Sequence, residues 1–211
     1  MHHRLDGEVA VVTGAGTGIG AAIASRLAAM GASVAITGRR AALLEERAQA
    51  ITSAGGTVLA VPGDSATEPG VEELFRRVDD GFGPVSILVN NAAIAGPVAP
   101  IWEQDFAGWE ETLRINLSGP WLCSRAAARR MMAQRKGRIV NIGSISGKRP
   151  LARRSPYTTA KLGLVGLTRT LALELGEYDV NVNCISPGAV ATPRLEELAR
   201  KAGITIEQLH A

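Results

Sequence analysis

The stretch Thr13-Gly14-Ala15-Gly16-Thr17-Gly18-Ile19-Gly20 decides the fold. It follows a short β-branched run, Val9–Thr13, and leads into an apolar-periodic segment, Ala21–Met30. A glycine-rich turn between a strand and a helix brings backbone N–H groups and a helix N-terminus to one point. That point is a seat for a pyrophosphate. Glycine permits the tight turn and the close approach of phosphate, and Gly20 lets the helix lie against the sheet. The plain alternative is a glycine-rich turn with no ligand. Four alternating glycines between the expected strand and helix weigh against it.

Outward from this loop, β-branched runs alternate with longer helical stretches. Ser33–Thr37, Thr57–Val61, Ser86–Asn90, Arg138–Ile142 and Asn181–Ile185 read as further buried strands. Ala41–Ser53, Glu68–Asp80, Trp109–Arg135 and Pro156–Leu175 read as the later helices. Trp109–Arg135 carries Gly119-Pro120, so it is expected to be two segments or one kinked helix. Strict β-α-β alternation requires a parallel sheet covered on both faces, with right-handed crossovers. The expectation is an α/β, doubly wound, Rossmann-like sheet of six strands in a single domain spanning 1–211.

Bulk properties exclude several classes. The 211 residues are 46% apolar and 20% charged, a globular composition. A net charge of +3 with only 4% aromatics does not suit a nucleic-acid surface. No apolar run reaches spanning length and no signal-peptide pattern is present, so neither membrane nor secretion is expected. Cys123 and Cys184 lack metal or disulfide spacing, which fits a reducing, cytoplasmic setting with no metal site. Cys123 reads as a helix packing residue and Cys184 as a buried strand residue. Trp109, Trp121 and Met131-Met132 read as core or helix-interface positions.

The end of the second strand bears on which dinucleotide the loop would take. An acidic residue there accepts from the ribose hydroxyls of NAD, whereas Thr37-Gly38-Arg39-Arg40 offers guanidiniums and no carboxylate. Arg39 can pair bidentately with a 2′-phosphate, so NADP(H) is favoured, with NAD possible. The other reading, exposed residues starting the next helix, is kept open for Arg39 and adopted for Arg40.

Ser144 follows the fifth strand at its carboxyl end. Tyr157 and Lys161 are four apart and share a helix face. Ordinary amphipathic helices produce Tyr-x-x-x-Lys often. Joined with Ser144, Asn116 and the glycine loop, the pair describes a reacting site.

Together, Thr13–Gly20, Asp64, Asn90-Asn91-Ala92, Asn116, Ser144, Tyr157, Lys161 and Pro187-Gly188 resemble the short-chain dehydrogenase/reductase family. The likeness is to its shorter, 3-oxoacyl-carrier-protein-reductase-like branch, over about Arg4 to Pro193. It implies hydride transfer between a nicotinamide and a carbonyl or secondary alcohol: a 3-oxoacyl thioester, a ketone or a sugar-like alcohol. Tyr157 would be the general acid or base. Lys161 would stabilise the phenolate and bond the nicotinamide ribose, and Ser144 would hold the substrate oxygen. Asn116 would break the helix locally and hold a proton-relaying water.

The same likeness places Gly14, Gly16, Thr17, Gly18 and Ile19 at the phosphates, Asp64 at the adenine amino group and Asn90 and Ala92 beside the cleft. Pro187 and Gly188 would turn past the nicotinamide, with Val190 and Thr192 at its carboxamide and the phosphates. For Asp64, a turn role after Pro62-Gly63 stays open. Asn91-Ala92-Ala93 departs from the family's Asn-Ala-Gly, and Ala93 would restrict the loop if positive φ were needed.

Ile94–Ile101, with Trp102, and the segment 192–211 are expected to border the substrate as a lid. Lys148, Arg149, Arg153 and Arg154 crowd the loop before Tyr157. Solvated loop charges and attraction of an acidic substrate or carrier are both open for them. Thr192–Lys201 and a capped turn from Thr205 read as helical, and the resemblance implies a further helix and a seventh strand that these 211 residues do not supply, so the C-terminal end is expected to be incomplete. The resemblance also implies a homodimer or homotetramer through the later helices. A dinucleotide-binding regulatory or interaction protein without turnover is the alternative in another function class. An epimerase or dehydratase using the same Tyr/Lys pair is more distant.

Overall fold

Val9–Thr13 forms the first strand, β1, every residue of it buried. Side chains alternate across a strand, so Val9 and Val11 enter one apolar cluster while Ala10 and Val12 enter another on the opposite face. A strand buried on both faces needs helices above and below. The chain supplies them in order as α1 (Gly18–Ala29), β2 (Ser33–Gly38), α2 (Ala41–Ser53), β3 (Thr57–Pro62), α3 (Glu68–Phe82) and β4 (Ile87–Asn90). Then follow α4 (Phe106–Leu113), α5 (Gly119–Gln134), β5 (Gly137–Ile142), α6 (Ser155–Leu175) and β6 (Val180–Ile185). This computed structural model describes residues 4–192 and Leu195.

The six strands pair in parallel in the order β3-β2-β1-β4-β5-β6. Val12 lies beside Ile36 of β2 and Val89 of β4, so β1 is central. Chain direction across the sheet reverses between β1 and β4. There the loops beyond the carboxyl ends part and leave a crevice, the usual ligand seat of such sheets. On one face, Leu74, Phe75, Val78 and Met131 of α3 and α5 pack over Val11, Leu88 and Ile139. On the other, Ala24 and Ala28 of α1 with Leu44 and Ile51 of α2 cover Val12, Val34 and Ile36.

Each of the six strands read from the sequence is present. The helices match closely, with one instructive difference. The stretch read as Trp109–Arg135 is two helices, α4 and α5, joined by a wide π-type turn over Arg114–Ser118 in which the Gly119 N–H reaches back to Arg114 O. Pro120 has no N–H to give to the Asn116 carbonyl, so the α-helical ladder cannot run through this point.

Two packing expectations need correction. Trp121 is 45% exposed and lies under the Arg125 guanidinium, 4.8 Å from its ring centroid, so it is a surface residue. Cys184 is half-buried, since β6 is the outer described strand, whereas Cys123 is fully enclosed and burial pushes its thiol up to about 12. Among the described residues, no helix is long and apolar enough to cross a membrane and no cluster could hold a metal. The expected lid and tail helices over 193–211 lie outside the described residues, Leu195 apart.

Candidate active site

The glycine loop is locked to the loop after β4. Thr13 Oγ1 accepts from the N–H groups of Asn91 and Ala92, both at 3.0 Å. Asn91 Nδ2 donates back to the carbonyls of Thr13 and Gly14, at 2.9 and 3.1 Å. Gly14, at φ +64, has room for no side chain: a Cβ would stand 2.7 Å from Ala92 Cα. A Cβ on Gly20 would strike the Asn91 amide, so this glycine makes space for the Asn91 clamp as well as for helix packing. Ala93 does not have positive φ, and the alanine costs the loop nothing.

A cleft of about 690 Å³ opens over this cradle. Gly14, Gly16, Thr17, Gly18 and Ile19 line it, as do Arg39, Asp64, Ala92 and Thr192. Asn90 lies just behind the wall. Its Nδ2 donates to Asn141 Oδ1 at 2.8 Å and Ser124 Oγ at 3.0 Å, bracing β4 against β5 and α5.

At the far end of the cleft, the two arginines differ from expectation in one respect. Arg40, read as an exposed helix start, does precede α2, but it also lines the cleft and its Nη2 donates to Thr17 Oγ1 at 3.4 Å. Arg39 Nη1 faces Glu111 Oε1 of α4 at 3.8 Å. Arg114 grips both oxygens of Glu111, at 2.6 and 2.9 Å, and reaches Asp64 Oδ2 at 3.0 Å and Ala66 O at 3.1 Å. These hydrogen bonds hold the Glu111 carboxyl below its ordinary range and raise the Arg114 guanidinium above its own. The other Asp64 oxygen accepts from Ala66 N at 3.0 Å, so the turn role of Asp64 is in place.

Asn116, Ser144, Tyr157 and Lys161 stand outside the lining of this cleft, and three of them are pinned by main-chain partners. Lys161 is buried, and its Nζ donates to Ile142 O at the end of β5 at 2.7 Å. It stands 5.8 Å from the centroid of the Tyr157 ring on the preceding turn. Ser144 is extended, and its Oγ accepts from Ser146 N at 3.1 Å, closing a tight turn over Ile145–Gly147. That turn abuts α6 at Lys161: a Cβ on Gly147 would sit 3.0 Å from the Lys161 carbonyl carbon. Ser144 is thereby brought to the part of α6 that carries Tyr157 and Lys161.

Asn116 is fully buried in the π-type turn and bonds both ways to Ile94, accepting from its N–H at 2.8 Å and donating to its carbonyl at 2.9 Å. Leu117 beside it packs onto α6 at Gly163. Ile145 N donates to Pro187 O at 2.9 Å, which lays the segment after β6 along the Ser144 turn. Within that segment Thr192 reaches the cleft wall, and Pro187, Gly188 and Val190 stand outside it.

The loop after Ile94 is strapped across the start of α6. Ala99 N donates to Arg153 O at 3.1 Å, and Gln104 links Ala99 O to Ser155 Oγ at 2.6 and 2.8 Å. Lys148, Arg149 and Arg153 are exposed, while Arg154 turns inward over the Tyr157 ring, 5.1 Å from its centroid. Sequence reasoning missed Glu111, Arg114, Gln104 and Ser155, and gave Asn91 no role of its own. Asn91 adjoins a motif already noticed, and Glu111 with Arg114 is a visible i, i+3 pair. Nothing local announces that Arg114 meets Asp64.

A family model described as short chain dehydrogenase matches residues 8–203. The 3-oxoacyl-[acyl-carrier-protein] reductase FabG of Aquifex aeolicus is 38% identical over 197 residues, 91% of this chain and 77% of that protein. Among solved structures, an NAD+-bound xylitol dehydrogenase superposes with TM-score 0.89 at 32% identity, covering 94% of this chain and 77% of that one. A metagenomic short-chain oxidoreductase in complex with NADP gives TM-score 0.84 at 38% identity, covering 88% and 84%.

Proposed function

This chain belongs to the short-chain dehydrogenase family, and we propose that it is an NADP(H)-dependent oxidoreductase acting on a carbonyl or secondary alcohol. The observation that carries the reading is the convergence of the expected reacting residues on one stretch of α6. The Ser144 turn abuts α6 where Tyr157 and a buried, backbone-anchored Lys161 stand, and the same sheet carries a glycine cradle that excludes side chains. The cradle suits a dinucleotide. Gly14, Gly16, Thr17, Gly18, Ile19 and Ala92 would meet the pyrophosphate, with Thr192 across from Gly18. Asp64 would meet the adenine amino group, and Pro187, Gly188 and Val190 the nicotinamide side.

The bound dinucleotide supplies or receives the hydride. The chain's own residues manage the proton. Ser144 Oγ would donate to the substrate oxygen and hold its developing charge. The Tyr157 hydroxyl would pass its proton to that oxygen, or take one in the oxidising direction. Lys161, fixed on Ile142 O, would make the phenolate less costly by its charge and would bond the nicotinamide ribose. Asn116 holds the Ile94 end of the substrate loop and would position a relaying water.

Arg39 and Arg40 in the cleft wall, with no carboxylate ending β2, favour NADP(H). The names of the similar proteins span a 3-oxoacyl thioester and a sugar alcohol, which supports a ketone, thioester or polyol substrate. Leu162 and Leu173 are exposed on α6, at 57% and 85%, and support a homodimer or homotetramer through α5 and α6. Two free cysteines suit a reducing compartment.

Purified protein should oxidise NADPH with at least one member of a broad ketone, 3-oxoacyl thioester and sugar panel. Protein that binds NADPH yet turns over nothing in either direction would return the regulatory alternative. Arg39→Asp should weaken NADPH binding by about tenfold or more, since a charge-assisted hydrogen bond contributes roughly 1.5–3 kcal/mol. NADH binding should improve. Unchanged affinities for both would remove the NADP preference.

A further inference from the structure

Resting on the NADP(H) reading, we propose that Glu111 of α4 is a specificity-determining residue that contests Arg39 with the 2′-phosphate of the cofactor. Arg39 is the cleft-wall guanidinium at the end of β2, and its Nη1 is 3.8 Å from Glu111 Oε1. The two residues come from elements far apart in the chain, and both side chains are about half exposed, at 58% and 42%.

Glu111 is not a loose surface carboxylate. Both of its oxygens are held by Arg114, at 2.6 and 2.9 Å, and Arg114 is itself moored on Asp64 Oδ2 and Ala66 O. A fixed anion therefore faces the guanidinium that a 2′-phosphate needs. The hydrogen bonds from Arg114 also hold the Glu111 carboxyl below its ordinary range.

The consequence is one-sided. A 2′-phosphate must draw Arg39 away from Glu111 and then sit near the same carboxylate, and a 2′-hydroxyl does neither. Glu111 thus weakens NADP(H) while leaving NAD(H) almost untouched. Arg40 is not engaged by Glu111, because it leans the other way onto Thr17. Exposed ion pairs are weak, so the effect is a graded one of about three- to fivefold in affinity.

The test is calorimetric titration of 2′,5′-ADP and 5′-AMP, then NADPH and NADH, into the full chain and its variants. Glu111→Gln retains an acceptor oxygen for Arg114 and removes the charge. It should tighten 2′,5′-ADP and NADPH about three- to fivefold and leave 5′-AMP and NADH within about twofold. In an Arg39→Gln background the gain should fall below about twofold, as a coupled pair requires.

An unchanged 2′,5′-ADP affinity in Glu111→Gln, or an equal shift for 5′-AMP, overturns the inference. If Arg39→Gln still weakens 2′,5′-ADP in that case, the NADP(H) reading survives it. If Arg39→Gln leaves 2′,5′-ADP unaffected, both fall together.

Discussion

The two halves of the proposed site are built differently. In the half proposed to react, which we call the reacting end, Lys161 is tied to Ile142 O, Asn116 to both polar groups of Ile94, and Ser144 to Ser146 N. These bonds go to the main chain, whose position the sheet and helices determine. In the half proposed for the adenosine, the adenosine end, Arg39, Glu111, Arg114 and Asp64 hold one another through partly exposed side chains, with Ala66 as the one main-chain partner of Arg114 and Asp64 among these bonds. Backbone partners give a geometry that a substitution can break and hardly tune. Side-chain networks near water can be adjusted in small steps, because each pair is worth little. Chemistry that must not drift and a nucleotide preference that can drift are thus placed on scaffolds of matching stiffness.

The largest effect should come from the reacting end. Tyr157→Phe deletes the proton donor and leaves the ring, so turnover should drop by about 10³-fold, within the range for general acid–base groups. NADPH affinity should stay within a few-fold, measured by fluorescence titration. A variant that kept a tenth of its activity would mean that the proton passes elsewhere, and the contrast between rigid and tunable ends would lose its basis.

Asn116→Ala comes next. It removes both side-chain bonds to Ile94 and leaves that backbone N–H and carbonyl short of partners, at about 1–3 kcal/mol for an unsatisfied buried group. Displacement of the substrate loop by about 1 Å would cut turnover by as much as 10²-fold. Both are measurable, by denaturant melts and by kcat. A loss of stability with kcat untouched would make Asn116 a purely structural staple.

How much of this was legible differs between the same two ends. Tyr157 with Lys161, and the glycine run before α1, are local patterns, and local periodicity fixes which face such residues share. The Gly119-Pro120 signal foretold a break in the helix, because a missing N–H acts on a carbonyl four residues away. The adenosine-end network resisted reading, since Arg114 and Asp64 meet across 50 positions of chain. Arg40 is the exposed opening of α2 that the sequence suggests, and its place in the cleft wall is a further fact that was not legible. A residue that opens a helix is exposed by default, and only the approach of the Thr17 loop turns that exposure into a cleft wall. Gln104 and Ser155 join two loops, where no periodicity exists to read.

The smallest expected effect sharpens the comparison from the tunable side. Thr67 caps α3 by accepting from Gly70 N at 3.2 Å, and its hydroxyl donates to Asp64 O at 3.0 Å. Thr67→Ala removes a helix cap and one brace of the Asp64 turn together. The cap alone should lower stability by about 1 kcal/mol, or roughly 2–4 °C in Tm for a chain of this size. Asp64 would still be held by Ala66 N and Arg114, so NADPH affinity should change by less than about threefold in titration. A tenfold loss of NADPH with so small a loss of stability would mean that the Asp64 turn is as exacting as the Lys161 anchor. The adenosine end would then have to be counted among the rigid parts of the site, with its charge network serving to fix Asp64 in place.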